Sequence, residues 1–462
     1  MRNNTWKMSG ILLLVGLVIS GCTKLEIYRN DFTLCTSNDP ATQCQKHARQ
    51  QYKDEAHPEK EYFLGFIEFD DQGQLFQREQ MRKVLDQLNE DAARQDLVMV
   101  VYVHGWKHSA QPGDPNINTF RQVLMQLSEA ESVISSQTGM PPRKISGVYL
   151  GWRGGSVTMP GIKELSFWDR KNTAHKVGHG GVTEVLSRLE LVRTSKDAMA
   201  EPDGSRTRLV VVGHSFGGAV VYSATSQLLK NRFVHTRGPE GQISDVNGFG
   251  NLVVLINPAF EALRFTPLSD MSTERGTYFK SQLPVMVILT SEADNATKRF
   301  FPLGRWFSTL FEIEEPTISR KNATTHQIEN IDERDANLTA IGHFEPYRTH
   351  YLKATGAKDT KPAQLSVKDT MRLFLKASQS WETDTSGSEI QFDGSLLERT
   401  QTSAGRNPYL VVRVDKALIP NHNDITNYRI IEFVKQLILI STQQHQPVAR
   451  ESTRKSLETF VK

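Results

Sequence analysis

Cysteine is scarce: there are three in 462 residues, and none falls in a C-x-x-C pair. That excludes a disulfide-built scaffold and leaves no pattern for a zinc ribbon or a thioredoxin-like redox site. Charge of one sign is scarce too. The 55 Lys+Arg against 52 Asp+Glu leave a formal +3, too little over this length for a nucleic-acid binder that works by bulk charge. Glycine and proline, 31 and 19 residues, stay near their ordinary shares, and 38% of the chain is hydrophobic. A collagen-like repeat and a disordered chain are therefore excluded. No apolar run reaches the ~20 residues of a membrane-spanning helix, which excludes a polytopic membrane protein. There is no internal repeat or low-complexity tract. What remains is a globular chain with room for two to four domains, or one large domain with insertions, at roughly 100–200 residues per domain.

The start of the chain carries a targeting pattern. Residues 8–21 hold no charge over 14 positions, about 21 Å as a helix against about 30 Å of hydrocarbon. With Arg2 and Lys7 ahead of it, the run has the shape of a secretory signal. It ends Ile19-Ser20-Gly21-Cys22. This resembles the bacterial lipobox, in which the cysteine is lipidated and becomes the mature N-terminus; the alternative is an ordinary signal peptide that happens to precede a cysteine. Thr23 in place of Asp implies, by the same resemblance, the outer rather than the inner membrane. Cys35 and Cys44 are then left as a disulfide pair in an oxidising periplasm, or as two free thiols. The polar stretch 22–60 reads as a tether, and 443–462 as a loose polar tail.

Between them, short apolar runs alternate with helical patterns. Strands are expected at 62–69, 97–103, 145–150, 209–212, 252–256, 285–289 and 410–414, with helices at 77–93, 118–137, 217–230 and 427–440. Continuous β-branched runs separated by helices predict a mostly parallel sheet covered on both faces. Two stretches, 154–201 and 295–407, read as insertions, and the second is too long to lack structure of its own.

Chemistry concentrates at Gly213-His214-Ser215-Phe216-Gly217-Gly218, a G-x-S-x-G placed directly after Arg208-Leu209-Val210-Val211-Val212 and directly before a helical segment. A tight strand-to-helix turn strains the serine backbone, tolerates only small neighbours, and aims helix amides at a developing oxyanion. A glycine-rich phosphate loop is the rival, but it lacks the G-K-[ST] lysine. In these residues the chain resembles the α/β-hydrolase fold, a family of serine hydrolases that includes esterases and lipases. The resemblance spans residues 62–440 and is loose in both insertions.

A serine hydroxyl needs a histidine base, and the base needs a carboxylate. The family order is Ser, acid, His. The acid is expected just past the 285–289 strand, where Asp294 is favoured over Glu292. Of 13 histidines, His422 alone lies between the last strand and the last helix, with His343 the runner-up. Asp424 reads as a helix cap. The resemblance places the oxyanion hole on the backbone amides of Phe216 and Trp106, the latter in His104-Gly105-Trp106 after an early strand. His104 and His108 form no metal pair on a loop, and His179-Gly180-Gly181 reads as a flexible loop. Five aromatics, Phe300, Phe301, Trp306, Phe307 and Phe311, form either a helix packed on the sheet or an apolar cap that meets acyl chain or lipid.

The expectation is therefore a lipid-anchored serine hydrolase of the cell envelope. Its fold would be α/β, with the hydrolase domain over 61–442. It would cleave carboxylic esters without metal or organic cofactor and would have no nucleic-acid partner. The alternatives are phospholipid deacylation or acyl transfer at the membrane, and a binding lipoprotein that keeps the fold without activity.

Overall fold

The computed structural model describes residues 26–442 apart from 155–165, 201–203, 238–242, 309–316, 356–366, 384–388, 393 and 426. The signal peptide, Cys22 and the 443–462 tail lie outside the described residues.

The β-branched runs form strands buried on both faces because helices cover both. In chain order the strands are β1 (Asp31–Ser37), β2 (His47–Tyr52), β3 (Tyr62–Glu68), β4 (Leu97–Val103), β5 (Lys144–Gly151), β6 (Arg208–His214), β7 (Leu252–Ile256), β8 (Met286–Ser291), β9 (Ile318–Lys321), β10 (Ile328–Ile331), β11 (His350–Ala354), β12 (Glu389–Phe392), β13 (Ser395–Arg399) and β14 (Tyr409–Val414). Twelve make one sheet in the order β1-β2-β3-β5-β4-β6-β7-β8-β14-β11-β13-β12, while β9 and β10 pair as a separate hairpin. Along that sheet from β3 to β11 every neighbouring pair is parallel, and within it antiparallel pairing is confined to β2–β3 and β11–β13–β12. The protein is an α/β structure built on a large, mostly parallel sheet.

The helices are α1 (Arg78–Arg94), α2 (Pro115–Thr138), α3 (Ser166–Val177), α4 (Thr183–Met199), α5 (Phe216–Val234), α6 (Thr266–Arg275), α7 (Phe301–Ser308), α8 (Glu333–Leu338), α9 (Val367–Thr383) and α10 (Tyr428–Ser441). Successive side chains of a strand point to opposite faces. Met99, Val101 and Val103 accordingly pack with α1, α4 and α5 in one core, and Val98, Val100 and Tyr102 with α2, α9 and α10 in the other.

Two readings of the sequence need correction. Within the expected tether 22–60, the described residues 26–60 are folded almost throughout. Strands β1 and β2 extend the sheet, Cys35 and Cys44 are joined by a disulfide, and Arg29 is buried. The Tyr28 and Arg29 amides donate to the Glu68 carboxylate at 3.0 and 2.9 Å. The expected flexible loop at His179 is a π-helical turn (Gly178–Val182) that joins α3 to α4. A Cβ on Gly178 would lie 2.5 Å from the Val220 carbonyl oxygen, so glycine is there to let helices approach. The 295–407 stretch carries structure of its own, as expected, and three of its strands, β11, β12 and β13, join the main sheet.

Candidate active site

The parallel strands all end along one edge of the sheet, and the candidate residues gather there. Ser215 sits between β6 and α5 with φ +56° and ψ −121°. A serine held there costs about 1–3 kcal/mol and persists only when its surroundings over-determine it. They do: its N–H donates to the Ile256 carbonyl at 2.9 Å, and its carbonyl accepts from Gly218 and Ala259 at 3.0 and 3.1 Å. The site also leaves no room for a side chain at two glycines packed around the turn. A Cβ on Gly217 would lie 2.1 Å from the Val103 carbonyl oxygen, and one on Gly105 would lie 2.7 Å from the Ser215 Cβ.

His422 lies on the loop between β14 and α10. Its Nε2 is 2.7 Å from Ser215 Oγ, and its Nδ1 is 2.9 Å from Asp294 Oδ2. The second contact is bent away from a straight hydrogen bond, but at that separation the carboxylate still stabilises a protonated imidazole. Ser215 is 2% exposed and Asp294 fully buried, whereas the His422 side chain keeps 16% of its surface. Solvent therefore meets the imidazole edge first. Glu292, the other candidate acid, instead lies 3.7 Å from Arg413 on the surface.

A second shell of contacts was not legible as such in the sequence. Thr297 donates its hydroxyl to Asp294 Oδ2 and its N–H to Oδ1 at 3.1 Å. The same hydroxyl oxygen lies 2.9 Å from His343 Nε2. Because that hydroxyl is spent on the carboxylate, His343 must donate. The runner-up base thus supports the acid at one remove. Burial would raise the Asp294 carboxyl; His422 and Thr297 outweigh it and hold the group below the usual carboxylate range. Burial lowers His343 to about 4, which keeps it neutral.

The backbone carbonyl of His422 is clamped from two sides. His214 Nε2 donates to it at 3.0 Å and Asn257 Nδ2 at 2.9 Å. Asn257, at φ +46°, also accepts from the Ser291 N–H at 2.9 Å, and Ser291 Oγ donates to the Ile419 carbonyl at 2.6 Å. Burial, with the neighbouring His422 imidazole, lowers His214 to about 3, so it acts as a neutral donor. Asp424 does not cap α10; Asn427 does, accepting from the Arg429 N–H at 3.0 Å.

The His104–Trp106 loop is fixed by similar means. His104 Nδ1 donates to the Gly105 carbonyl at 3.0 Å, and its Nε2 accepts from the Trp152 N–H at 3.1 Å. Trp152 Nε1 returns a bond to the His104 carbonyl at 3.0 Å, with the two rings stacked at 5.6 Å. Trp106 follows the glycine that abuts Ser215, and Phe216 is the first residue of α5. His108 faces Asp114 at 3.0 Å, and among the described residues no three His, Cys, Asp or Glu side chains are gathered as a metal site needs. In the aromatic cluster Phe301 is fully buried, whereas Phe300 and Trp306 are exposed. The Phe307 side chain and all of Phe311 lie outside the described residues.

Compared with family models, curated proteins and solved structures, the chain matches none. The function therefore rests on the site itself.

Proposed function

We propose that this chain is an α/β-hydrolase-fold serine hydrolase of carboxylic esters, held in the bacterial envelope, at the outer membrane, by lipid on Cys22. The observation that carries the chemistry is the run of close contacts from Ser215 Oγ to His422 Nε2 at 2.7 Å and from His422 Nδ1 to Asp294 Oδ2 at 2.9 Å. Those separations fall in the range in which a positioned imidazole takes a hydroxyl proton.

In this reading His422 Nε2 accepts the Ser215 proton as Oγ attacks the ester carbonyl carbon. The oxygen that becomes negative is met by the Phe216 and Trp106 amides. Collapse of the tetrahedral species breaks the bond to the alcohol oxygen, and His422 returns the proton to that oxygen. The acyl group then rests on Ser215. Water, deprotonated by His422, attacks it and releases the acid. Asp294 fixes the ring and stabilises its charged form throughout, without itself taking the proton. No step draws on a metal or organic cofactor.

The test is direct. The parent should hydrolyse short acyl esters and react covalently with a fluorophosphonate probe, and Ser215→Ala should do neither. Equal rates in both proteins would end the assignment. An unlabelled parent would favour the binding-lipoprotein alternative.

A further inference from the structure

We propose that the Ser215 edge of the sheet faces the bilayer that holds the protein, seated through Phe300, Leu303 and Trp306, and that its substrate is the acyl ester of a membrane glycerolipid. This rests on the reading of Cys22 as the lipidated residue and of Ser215 as the nucleophile.

The described chain enters at the Glu68 end of β3, where the Tyr28 and Arg29 amides are bound and Arg29 Nε donates to the Ala110 carbonyl at 2.8 Å. Ala110 belongs to the loop that follows Gly105 and Trp106, and Glu68 pairs in register with Gly151 at the same sheet edge. The entry point is thus three strands from β6, in the order β3-β5-β4-β6, about 14 Å at the usual strand spacing. Cys22 precedes Tyr28 by six residues, which span at most about 21 Å even fully extended. A body of this many residues is about 55 Å across. A leash that short cannot bring the opposite edge of the sheet to the membrane.

The other side of the site supplies a seat. Phe300 ends a π-helical turn (Ala296–Phe300) that starts two residues past Asp294, and α7 follows directly. Phe300, Leu303 and Trp306 are 63%, 59% and 44% exposed, while Phe301 beside them is buried. Lys298 and Arg299, both exposed, flank the apolar stripe. Apolar side chains that can enter the headgroup boundary, a tryptophan, and cations level with lipid phosphates are what an interfacial segment presents. β8, which leads to this stripe, is two strands from β6 on the side away from the anchor. Ser215 therefore lies between the leash and the seat. Held at both ends, it meets lipid ester at a high effective concentration.

The experiment uses the full-length lipidated protein in vesicles of phosphatidylethanolamine and phosphatidylglycerol. A polarity-sensitive dye is placed on Leu303→Cys and, separately, on Gln95→Cys, an exposed position just before β4 at the opposite edge. The dye at 303 should shift to the blue on reconstitution and the dye at 95 should not. No shift at 303, or a shift at 95, would overturn the orientation. In a second arm, a flexible leash of about 30 residues inserted after Lys24 should lower turnover of a bilayer-embedded fluorogenic phosphatidylglycerol about tenfold. It should leave hydrolysis of a water-soluble butyrate ester unchanged. Butyrate hydrolysis with no phospholipid turnover would overturn the substrate assignment, and equal phospholipid turnover with both leashes would overturn the role given to the short leash. If the mature N-terminus carries no lipid by mass, the orientation fails while the serine chemistry stands. If neither ester is cleaved, the chemistry fails, and the dyes still report which edge faces the membrane.

Discussion

Replacing Thr297 by valine removes one hydroxyl and almost no volume. That hydroxyl donates to the same Asp294 oxygen that contacts His422 Nδ1, and its oxygen accepts from His343 Nε2. Thr297 is 1% exposed, so water cannot take its place. A hydrogen bond to a charged group contributes about 1.5–3 kcal/mol, and a buried N–H left without a partner costs about 1–3 kcal/mol. The two losses overlap because both groups can relax, so about 3 kcal/mol is expected in all. At ~2.1 cal/mol/K per residue, that lowers Tm by about 3 °C in a chain of this size. The Thr297 N–H to Oδ1 remains, so Asp294 stays near His422 and kcat/KM on a soluble ester should fall only about tenfold, or ~1.4 kcal/mol. The pH dependence has a fixed sign. A carboxyl held below its unfolded value contributes stability that is present above about pH 4 and lost as pH falls through the folded value. In Thr297→Val that contribution is smaller, so the stability gap between parent and variant should narrow below about pH 4. Thr297→Ser keeps the hydroxyl and should keep the rate, with a stability loss of only about 1 kcal/mol for the buried methyl. Equal losses in the serine and valine variants, or none in the valine variant, would refute the reasoning; urea titrations and ester kinetics across pH measure both.

Gly105→Ala puts a methyl 2.7 Å from the Ser215 Cβ and 2.9 Å from the His214 carbonyl oxygen, which must push the Trp106 amide away. Ester kinetics should show kcat reduced about a hundredfold, the scale of a lost oxyanion donor. Burial lowers His104 and His343 to about 4 and His175, His214 and His350 to about 3. The folded state thus refuses protons that the unfolded chain takes up below about pH 6.5. Urea midpoints should therefore fall between about pH 6.5 and 4, by up to ~1.4 kcal/mol per unit for each imidazole, and a flat profile would contradict the burial. Cys44→Ser opens a disulfide that spans nine residues, with a loss of about 2–3 kcal/mol from unfolded-chain entropy. Because β1 and β2 form the sheet edge, hydrogen exchange should quicken there and not in β6 or β7.

Legibility in the sequence followed burial. The central strands could be read because both their faces are covered, which leaves uninterrupted runs such as Leu97–Val103. Strands at the edge hide: β1 (DFTLCTS) and β2 (HARQQY) keep most of their side chains in contact with water and look like polar linker. Their place in the fold depends on nonlocal contacts, above all Arg29 with Glu68 and Ala110, that no local pattern encodes. The glycines at Gly180 and Gly181 misled for a related reason. They mark backbone packed against the Gly73 carbonyl, not a free loop. At the site, the sequence pointed to Ser215, Asp294 and His422 through motif and order, and the structure brings those three side chains together. It could not point to Asn257, which is one polar residue after a strand among several. Its role exists only because the His422 carbonyl arrives from 165 residues away.

That arrival depends on strand register. Asp294 lies three residues past the end of β8, and His422 eight past the end of β14. The two strands are neighbours, paired in parallel from Met286 with Tyr409 to Ser291 with Val414. More than a hundred residues separate them in the chain, yet closing a loop of that length costs only about 4 kcal/mol and grows slowly with further insertion. The intervening segment can therefore change in length and content while the acid and the base stay level. What it cannot change is the pairing. A slip of one residue would move β14 by about 3.3 Å and turn every side chain to the other face. That displacement exceeds the whole 2.9 Å separation of His422 Nδ1 from Asp294. The fully buried Val411, Val412 and Val414 of β14 hold that pairing against a slip, so packing below the site sets the distance on which the proposed proton transfer depends.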